Sequence, residues 1–252
     1  MEGTLAGFLP LVALTFLVAF VYSSVGHGGA SGYLALLSFF TFPHELMAAS
    51  ALGLNLLVAG TAFLAFRKAA HFSWRLTWPF VVTSVPTAFL GGLVQVSPDL
   101  YAKLLAGVLI IAGFRLLVEM RGGKEEEIPK APSFSVAFPL GAGVGLLSGI
   151  VGVGGGIFLS PLLLLLRWAG PKTTAATSAF FILVNSLAGL LGRVFRGSFS
   201  MSLPPVILLM VASAFLGGLA GSHLGANHFS GRWLRRILAV ALFVAVWKLL
   251  RV

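Results

Sequence analysis

The residues best placed to do chemistry form one stretch, Val151-Gly152-Val153-Gly154-Gly155-Gly156-Ile157-Phe158-Leu159-Ser160-Pro161. Five of these eleven residues are glycine or proline, yet the uncharged run around them reaches from 131 to 166. A shorter version, Val25-Gly26-His27-Gly28-Gly29-Ala30, occurs 126 residues earlier. Glycine and proline are poor helix formers, so each stretch should interrupt a helix. The helix that restarts after an interruption presents unpaired N–H groups and the positive end of its dipole. Where Cβ atoms are missing, a ligand can come close to that backbone. Gly26, Gly28 and Gly29 in the first break, and Gly152, Gly154, Gly155 and Gly156 in the second, are therefore candidate contacts to an anion.

Polar side chains in apolar segments are costly and extend the candidate set. Asn55 and Asn185 each lie near the middle of the span after the short helix, and Ser178 precedes Asn185 by seven residues, on the same helix face. Their amides could donate to a ligand oxygen or hydrogen-bond between helices, and spacing leaves both readings open. Ser24 and Ser31 flank the first break and are candidate ligand contacts. His27 stands where the second break has Val153. It could contact an anion, carry a proton near neutral pH, or hydrogen-bond a carbonyl at a helix end. No acidic residue lies well inside an apolar segment, which argues against a carboxylate-built cation site. No Arg or Lys stands out beside the breaks, so backbone donors and dipoles are expected to do the binding.

The elements that must position these groups are helices in a membrane. Hydrophobic residues make up 58% of the chain, charged residues 10%, and mean hydropathy is +1.01. A soluble domain carries about 25% charged residues. Uncharged runs at 46–66, 76–98 and 173–192 are each near the roughly 20 residues a spanning helix needs. They are continuous, not alternating, so helices are favoured over a barrel. The expected fold is an all-α polytopic membrane protein of about eight spans in two homologous halves. The first repeat covers 1–120, a polar linker 121–133, and the second repeat 134–252; each repeat has four spans plus a half-helix beside its break. Ala88-Phe89-Leu90-Gly91-Gly92-Leu93 recurs as Ala214-Phe215-Leu216-Gly217-Gly218-Leu219 at the same separation of 126 residues. These glycine pairs read as close helix packing.

If the half-helices re-enter, the halves are parallel; if they complete a crossing, the halves are inverted. Basic residues at segment ends slightly favour the parallel arrangement, against which Arg232, Arg235 and Arg236 would fall outside. The net charge of +10 sits singly or in short clusters at segment ends, a pattern that speaks against nucleic acid binding. There are no cysteines, which excludes disulfides and thiolate metal sites. Glu2 and the lack of a basic leader suggest that the first segment is retained as a span.

No H-E-x-x-H, G-x-S-x-G or G-x-x-x-x-G-K-[ST] is present, so the usual hydrolase and ATPase chemistries have no visible residues. Ser24 beside His27 is the one local candidate for a serine–base pair, and neighbouring residues rarely build such a dyad. With these residues laid out, the chain resembles the sulfite exporter TauE/SafE family of membrane permeases along nearly its whole length. The resemblance rests on the duplication, the Gly152-Val153-Gly154-Gly155-Gly156 break with Pro161 after it, Ala175-Ala176-Thr177-Ser178, and the Phe-Leu-Gly-Gly pairs. The first half departs from the motif, with His27 among the glycines and Ala30 for the third glycine. The resemblance implies a secondary transporter in the cytoplasmic (inner) membrane for sulfite or another sulfur-containing or organosulfonate anion. An anion channel of the same architecture is the first alternative, and a non-transporting membrane protein the second. No enzyme activity, cofactor or metal is expected. The expected partners are a small anion and the lipid bilayer, with a coupled proton and a homo-oligomer left open.

Overall fold

The computed structural model describes residues 8–38, 44–94, 132–197, 205–230, 232–234 and 236–237, and all their regular structure is helical. The expected span at 101–120, nearly all of the linker and most of the segment at 233–250 lie outside them. The helices are α1 (Leu9–Ser24), α2 (Ala30–Ser38), α3 (His44–Lys68), α4 (Trp74–Leu93), α5 (Phe134–Val151), α6 (Gly156–Leu165), α7 (Pro171–Phe195) and α8 (Pro205–Asn227). Five of them contain stretches long and apolar enough to cross a bilayer: α3, α4, α5, α7 and α8. Leu17, Leu90, Leu187, Leu208 and Leu216 are each at least half exposed, as lipid-facing side chains would be. This is a multi-pass helical membrane protein.

Helix directions follow from the registers of contact. On α1 and α8, Val12, Phe16, Phe20 and Ser24 meet Ser213, Gly217, Gly221 and Gly225 in ascending order, so the two helices run parallel. On α4 and α5, Phe80, Ser84 and Ala88 meet Gly141, Gly145 and Gly149 in the same sense. Between α3 and α7 the order reverses: Asn55 pairs with Ser186, Gly60 with Leu183 and Phe63 with Phe180. We call the membrane face where α1 begins the near face and the one where it ends the far face. Helices α1, α3 and α8 run near to far; α4, α5 and α7 run far to near.

The short helices run back against this traffic. On α2, Ser31 and Gly32 meet Tyr22 and Val18 of α1 in descending order. On α6, Gly156 lies on Ile182 and Ser160 on Ser178, antiparallel to α7. Each therefore carries the chain from mid-depth back to the face where the next long helix starts. Helix α2 begins at Ala30, whose N–H is accepted by Asn55 Oδ1 on α3 at 3.2 Å. A cap supplied from another helix leaves no local sequence signal.

Small residues let the paired helices touch backbone to backbone, and hydroxyls then bond across the seam. Thr83 Oγ1 donates to the Phe138 carbonyl at 3.0 Å and Thr87 Oγ1 to the Ala142 carbonyl at 2.9 Å. Thr87 also bonds the Thr83 carbonyl of its own helix at 3.0 Å, so its polar hydrogen has two acceptors. Thr87→Val should cost only about 0.6 kcal/mol, the average for interhelical bonds in a membrane. A drop in thermal midpoint of one or two degrees in detergent checks this.

Candidate functional site

The second break begins where α5 ends. Gly152 closes that helix in the left-handed conformation, with φ +74° and its N–H donating to the Ser148 carbonyl at 2.8 Å. Gly154 and Gly155, at φ +78° and +77°, turn the chain back into the start of α6. Gly155 occupies the cap position of α6 and has no side chain to satisfy the first N–H groups. A Cβ on Gly154 would lie 2.6 Å from both Asn55 Nδ2 and Ser186 Oγ; one on Gly155 would lie 2.8 Å from the Phe181 ring. A Cβ on Gly156 would strike Ile182. In this conformation the glycines admit protein atoms.

The first break is built alike. Gly26, at φ +76°, packs on the backbone of Ala175 in α7, and Gly28 packs on Asn55. Gly29, at φ +91°, places its missing Cβ 3.0 Å from the Tyr33 ring and hydroxyl. Asn55 joins the two breaks. Its Oδ1 takes the first N–H of α2, while its Nδ2 donates to Ser186 Oγ at 2.8 Å, beside Gly154. Asn55 and Ser186 lie near the middle of their long helices, so the starts of α2 and α6 meet at mid-depth. Asn55 thus makes the interhelical bond that spacing left as one of two readings.

His27 is buried and spans the halves. Its Nδ1 lies 3.1 Å from the Val25 carbonyl, and its Nε2 lies 3.3 Å from Ser160 Oγ, which in turn lies 2.6 Å from Ser178 Oγ. With Nδ1–H donating to the carbonyl, Nε2 accepts from Ser160, giving a chain of hydrogen bonds from α7 through α6 to the first break. A void of about 10 Å³ lies beside this chain on its far-face side, between Ser160, Leu164, Thr174 and Leu234. Ser24 and Ser31 are bonded locally, to the Val21 carbonyl at 2.7 Å and the Tyr22 hydroxyl at 3.2 Å.

The buried polar atoms without a hydrogen-bond partner among the described residues include Tyr33 Oη, Ser148 Oγ and Asn185 Oδ1. Tyr33 adjoins Gly29 and Ser148 adjoins Gly155, so each break has one buried hydroxyl without a partner. Such groups are costly unless a ligand or water completes them. Asn185 differs. Its Nδ2 donates to the Phe181 carbonyl of its own helix at 2.8 Å, so the buried atom left without a partner is an acceptor, not a donor. Ser186, Ser148, Ser160 and Tyr33 were not singled out from sequence. Ser160 was legible in the break motif itself, whereas the other three needed the fold to bring them in.

One expectation is corrected outright. A basic side chain does sit at the second break: Arg193, from the last turn of α7, donates to the Ile150 carbonyl at 2.9 Å and to the Gly149 carbonyl at 3.3 Å. Its Nη2 is 3.1 Å from where a Gly152 Cβ would lie. Arg193 looked like an interfacial residue because it ends an apolar run, but α5 ends at the same depth and offers unpaired carbonyls. No group of three His, Cys, Asp or Glu able to hold a metal occurs among the described residues.

The family described as "Sulfite exporter TauE/SafE" matches residues 11–249. The "Probable membrane transporter protein y4hK" of Sinorhizobium fredii is 35% identical over 237 residues, covering 93% of this chain and 95% of the relative. The "Probable membrane transporter protein YdhB" of Bacillus subtilis is 24% identical over 245 residues, again covering 93% and 95%. No solved structure gives a significant match. The match runs through both breaks and nearly every helix described above, and on that extent the chain belongs to the sulfite exporter TauE/SafE family.

Proposed function

We propose that the protein is a secondary transporter that carries a small anion, sulfite or another sulfur-containing or organosulfonate anion, across the cytoplasmic membrane. One observation carries the reading: two half-helix N-termini meet at mid-depth across Asn55, each with a buried hydroxyl that lacks a partner among the described residues. Broken helices present their positive ends to anionic substrates in this way. The site comprises the backbone at Gly28–Ala30 and Gly154–Gly156, with Asn55, Ser186, Tyr33, Ser148 and Ser178 around it. The family and the names of the relatives support transport in place of enzyme chemistry.

The helix directions support two inverted halves, 1–120 and 134–252 about the linker 121–133, with each short helix completing a passage. This differs from the count of eight full spans with parallel halves. The exchange of halves maps α1 on α8 to α5 on α4, and α3 on α7 to itself in the opposite direction. It also removes the objection from charge. Among the described residues Arg67, Lys68, Arg75, Arg167, Lys172, Arg232 and Arg236 lie at far-face helix ends; Arg193 and Arg196 lie at the near face. Positive-inside bias then assigns the far face to the cytoplasm.

Proteoliposomes loaded with unlabelled anion should take up labelled sulfite, thiosulfate or an organosulfonate by counterflow, and should ignore sodium and choline. Current that tracks voltage without exchange would replace the carrier by a channel. Failure of every anion to exchange or conduct would sink the reading.

His27 bears on coupling. It is buried among Ser160, Val25 and Tyr22, whose ring centroid is 6.5 Å away. Its bond to Ser160 links the first break to α6. His27→Ala should therefore slow uptake while leaving the protein folded. An uptake rate unchanged in that variant returns the imidazole to a purely structural bond with Val25.

A further inference from the structure

Arg193 has a counterpart that the fold treats differently. Arg67 precedes it by 126 residues, the separation that relates the two breaks, and each arginine lies in the last turn of its long helix. The carbonyls that Arg193 holds, on Gly149 and Ile150, correspond at the same separation to those of Ser23 and Ser24 at the end of α1. Yet Arg67 is exposed, its guanidinium 5.8 Å over the Phe63 ring, and it donates to neither Ser23 nor Ser24 in this structure. The contrast extends to access. At the near face, where Arg193 is engaged, Gly91 and Gly92 of α4 lie against the backbones of α5 and α7. At the far face, where Arg67 is disengaged, a void of about 10 Å³ loosens the packing between Thr174, Leu234 and Ser160, beside the His27 chain.

From this geometry we infer that Arg67 and Arg193 form an alternating latch: each arginine, when engaged, ties the end of its half's broken helix to the following long helix and closes that face. The structure is the state with the near latch engaged and the far latch released. The chemistry fits the role. A guanidinium on the last carbonyls of a helix pairs with its negative end and satisfies acceptors the helix cannot. Charge-assisted bonds of this kind are strong enough to bias two conformations but made of few enough contacts to exchange. Both arginines are positioning residues, since they act on the breaks and not on the anion. The inference rests on the inverted-halves transporter reading and deepens it by naming what shuts each face.

The chain has no cysteine, so single reporters can be introduced without background. Thr174→Cys reports the far cavity and Ser148→Cys the second break, each probed with a membrane-impermeant maleimide from both sides of oriented vesicles. Both positions are buried, so labelling reports opening, and in the otherwise unchanged protein Thr174→Cys should react faster from the far face than Ser148→Cys does from the near face. Adding Arg193→Gln should raise near-face labelling of Ser148→Cys by roughly tenfold and lower labelling at Thr174→Cys, as expected when a charged hydrogen bond to one of two states is removed. Adding Arg67→Gln should move both reporters in the opposite sense, because the competing state loses its latch. A merely structural arginine would loosen both reporters together. That outcome, or no change at either reporter in Arg67→Gln, overturns the latch. Because Arg67 is exposed, its variant decides the matter even if Arg193→Gln fails to fold. Labelling needs no substrate, so the latch can fail while counterflow by the unmodified protein succeeds, or hold while every anion tested is refused.

Discussion

Replacing Gly149 with valine should eliminate the folded protein from detergent extracts, while valine at Gly143 on the same helix should leave it intact. A Cβ at Gly149 would overlap the Ala88 carbonyl oxygen and come within 2.8 Å of Gly92 N, both backbone atoms of α4. Gly189 of α7 also lies there, its own missing Cβ 3.4 Å from the Gly149 Cα, so α4, α5 and α7 meet at three glycines. Backbone cannot rotate aside as a side chain can, so the helices must separate. In lipid no hydrophobic force draws them back, since contact and hydrogen bonding supply the association. Overpacking typically costs about 1–3 kcal/mol, and a backbone clash belongs at or above that upper end. Separation would also pull the Gly149 and Ile150 carbonyls away from Arg193. Gly143 is exposed with no neighbour within 4 Å of its Cβ position, so it controls for helix propensity alone. The measurement is the monodisperse fraction on size-exclusion chromatography after mild extraction. Equal fractions for the two variants would mean that the three-helix junction does not hold the fold.

How much of this was legible in the residues depended on whether the information was local. The breaks were legible, because glycine clusters inside uncharged runs have few other uses, and the long helices began and ended within a few residues of expectation. The packing role of Gly91-Gly92 and Gly217-Gly218 was also legible, and the structure sets Gly91 on the Leu146 carbonyl and Gly217 on the Phe16 carbonyl. The break glycines held a surprise of degree. They were read as open backbone for a ligand, but Gly26, Gly28 and Gly154 are filled by Ala175, Asn55 and Ser186, residues far away in sequence. Helix direction was not legible. A ten-residue apolar segment fits a re-entrant loop or a partial return equally well, and only the antiparallel register of Ser160 on Ser178 distinguishes them. Arg193 was misread for the same reason: the end of α5 lies 42 residues back in the chain, and no local pattern says that the two ends share a depth.

Asn55→Asp should abolish anion uptake while the protein still folds, and the reason lies in what the substitution keeps. In the native amide, Oδ1 accepts the Ala30 N–H and Nδ2 donates to Ser186 Oγ. A carboxylate keeps the first bond, and its second oxygen can accept from the Ser186 hydroxyl, which is free to rotate and donate. Both contacts therefore survive with one reversed, and the starts of α2 and α6 favour the new charge. The same charge repels an incoming anion. At about 4 Å and an effective dielectric near 20, two unit charges interact by about 4 kcal/mol, close to a thousandfold in affinity. Asn55→Leu makes the contrast: it leaves the Ala30 N–H without its acceptor in a buried setting, at a cost of about 1–3 kcal/mol. That variant should lose thermal stability, whereas Asn55→Asp should keep most of it and lose uptake by at least a hundredfold. Sulfite, thiosulfate and an organosulfonate should all be refused, since the effect depends on charge and not on shape. If Asn55→Asp folds and still exchanges anions at the native rate, the anion does not pass between the two helix starts, and the site must be sought elsewhere in the fold.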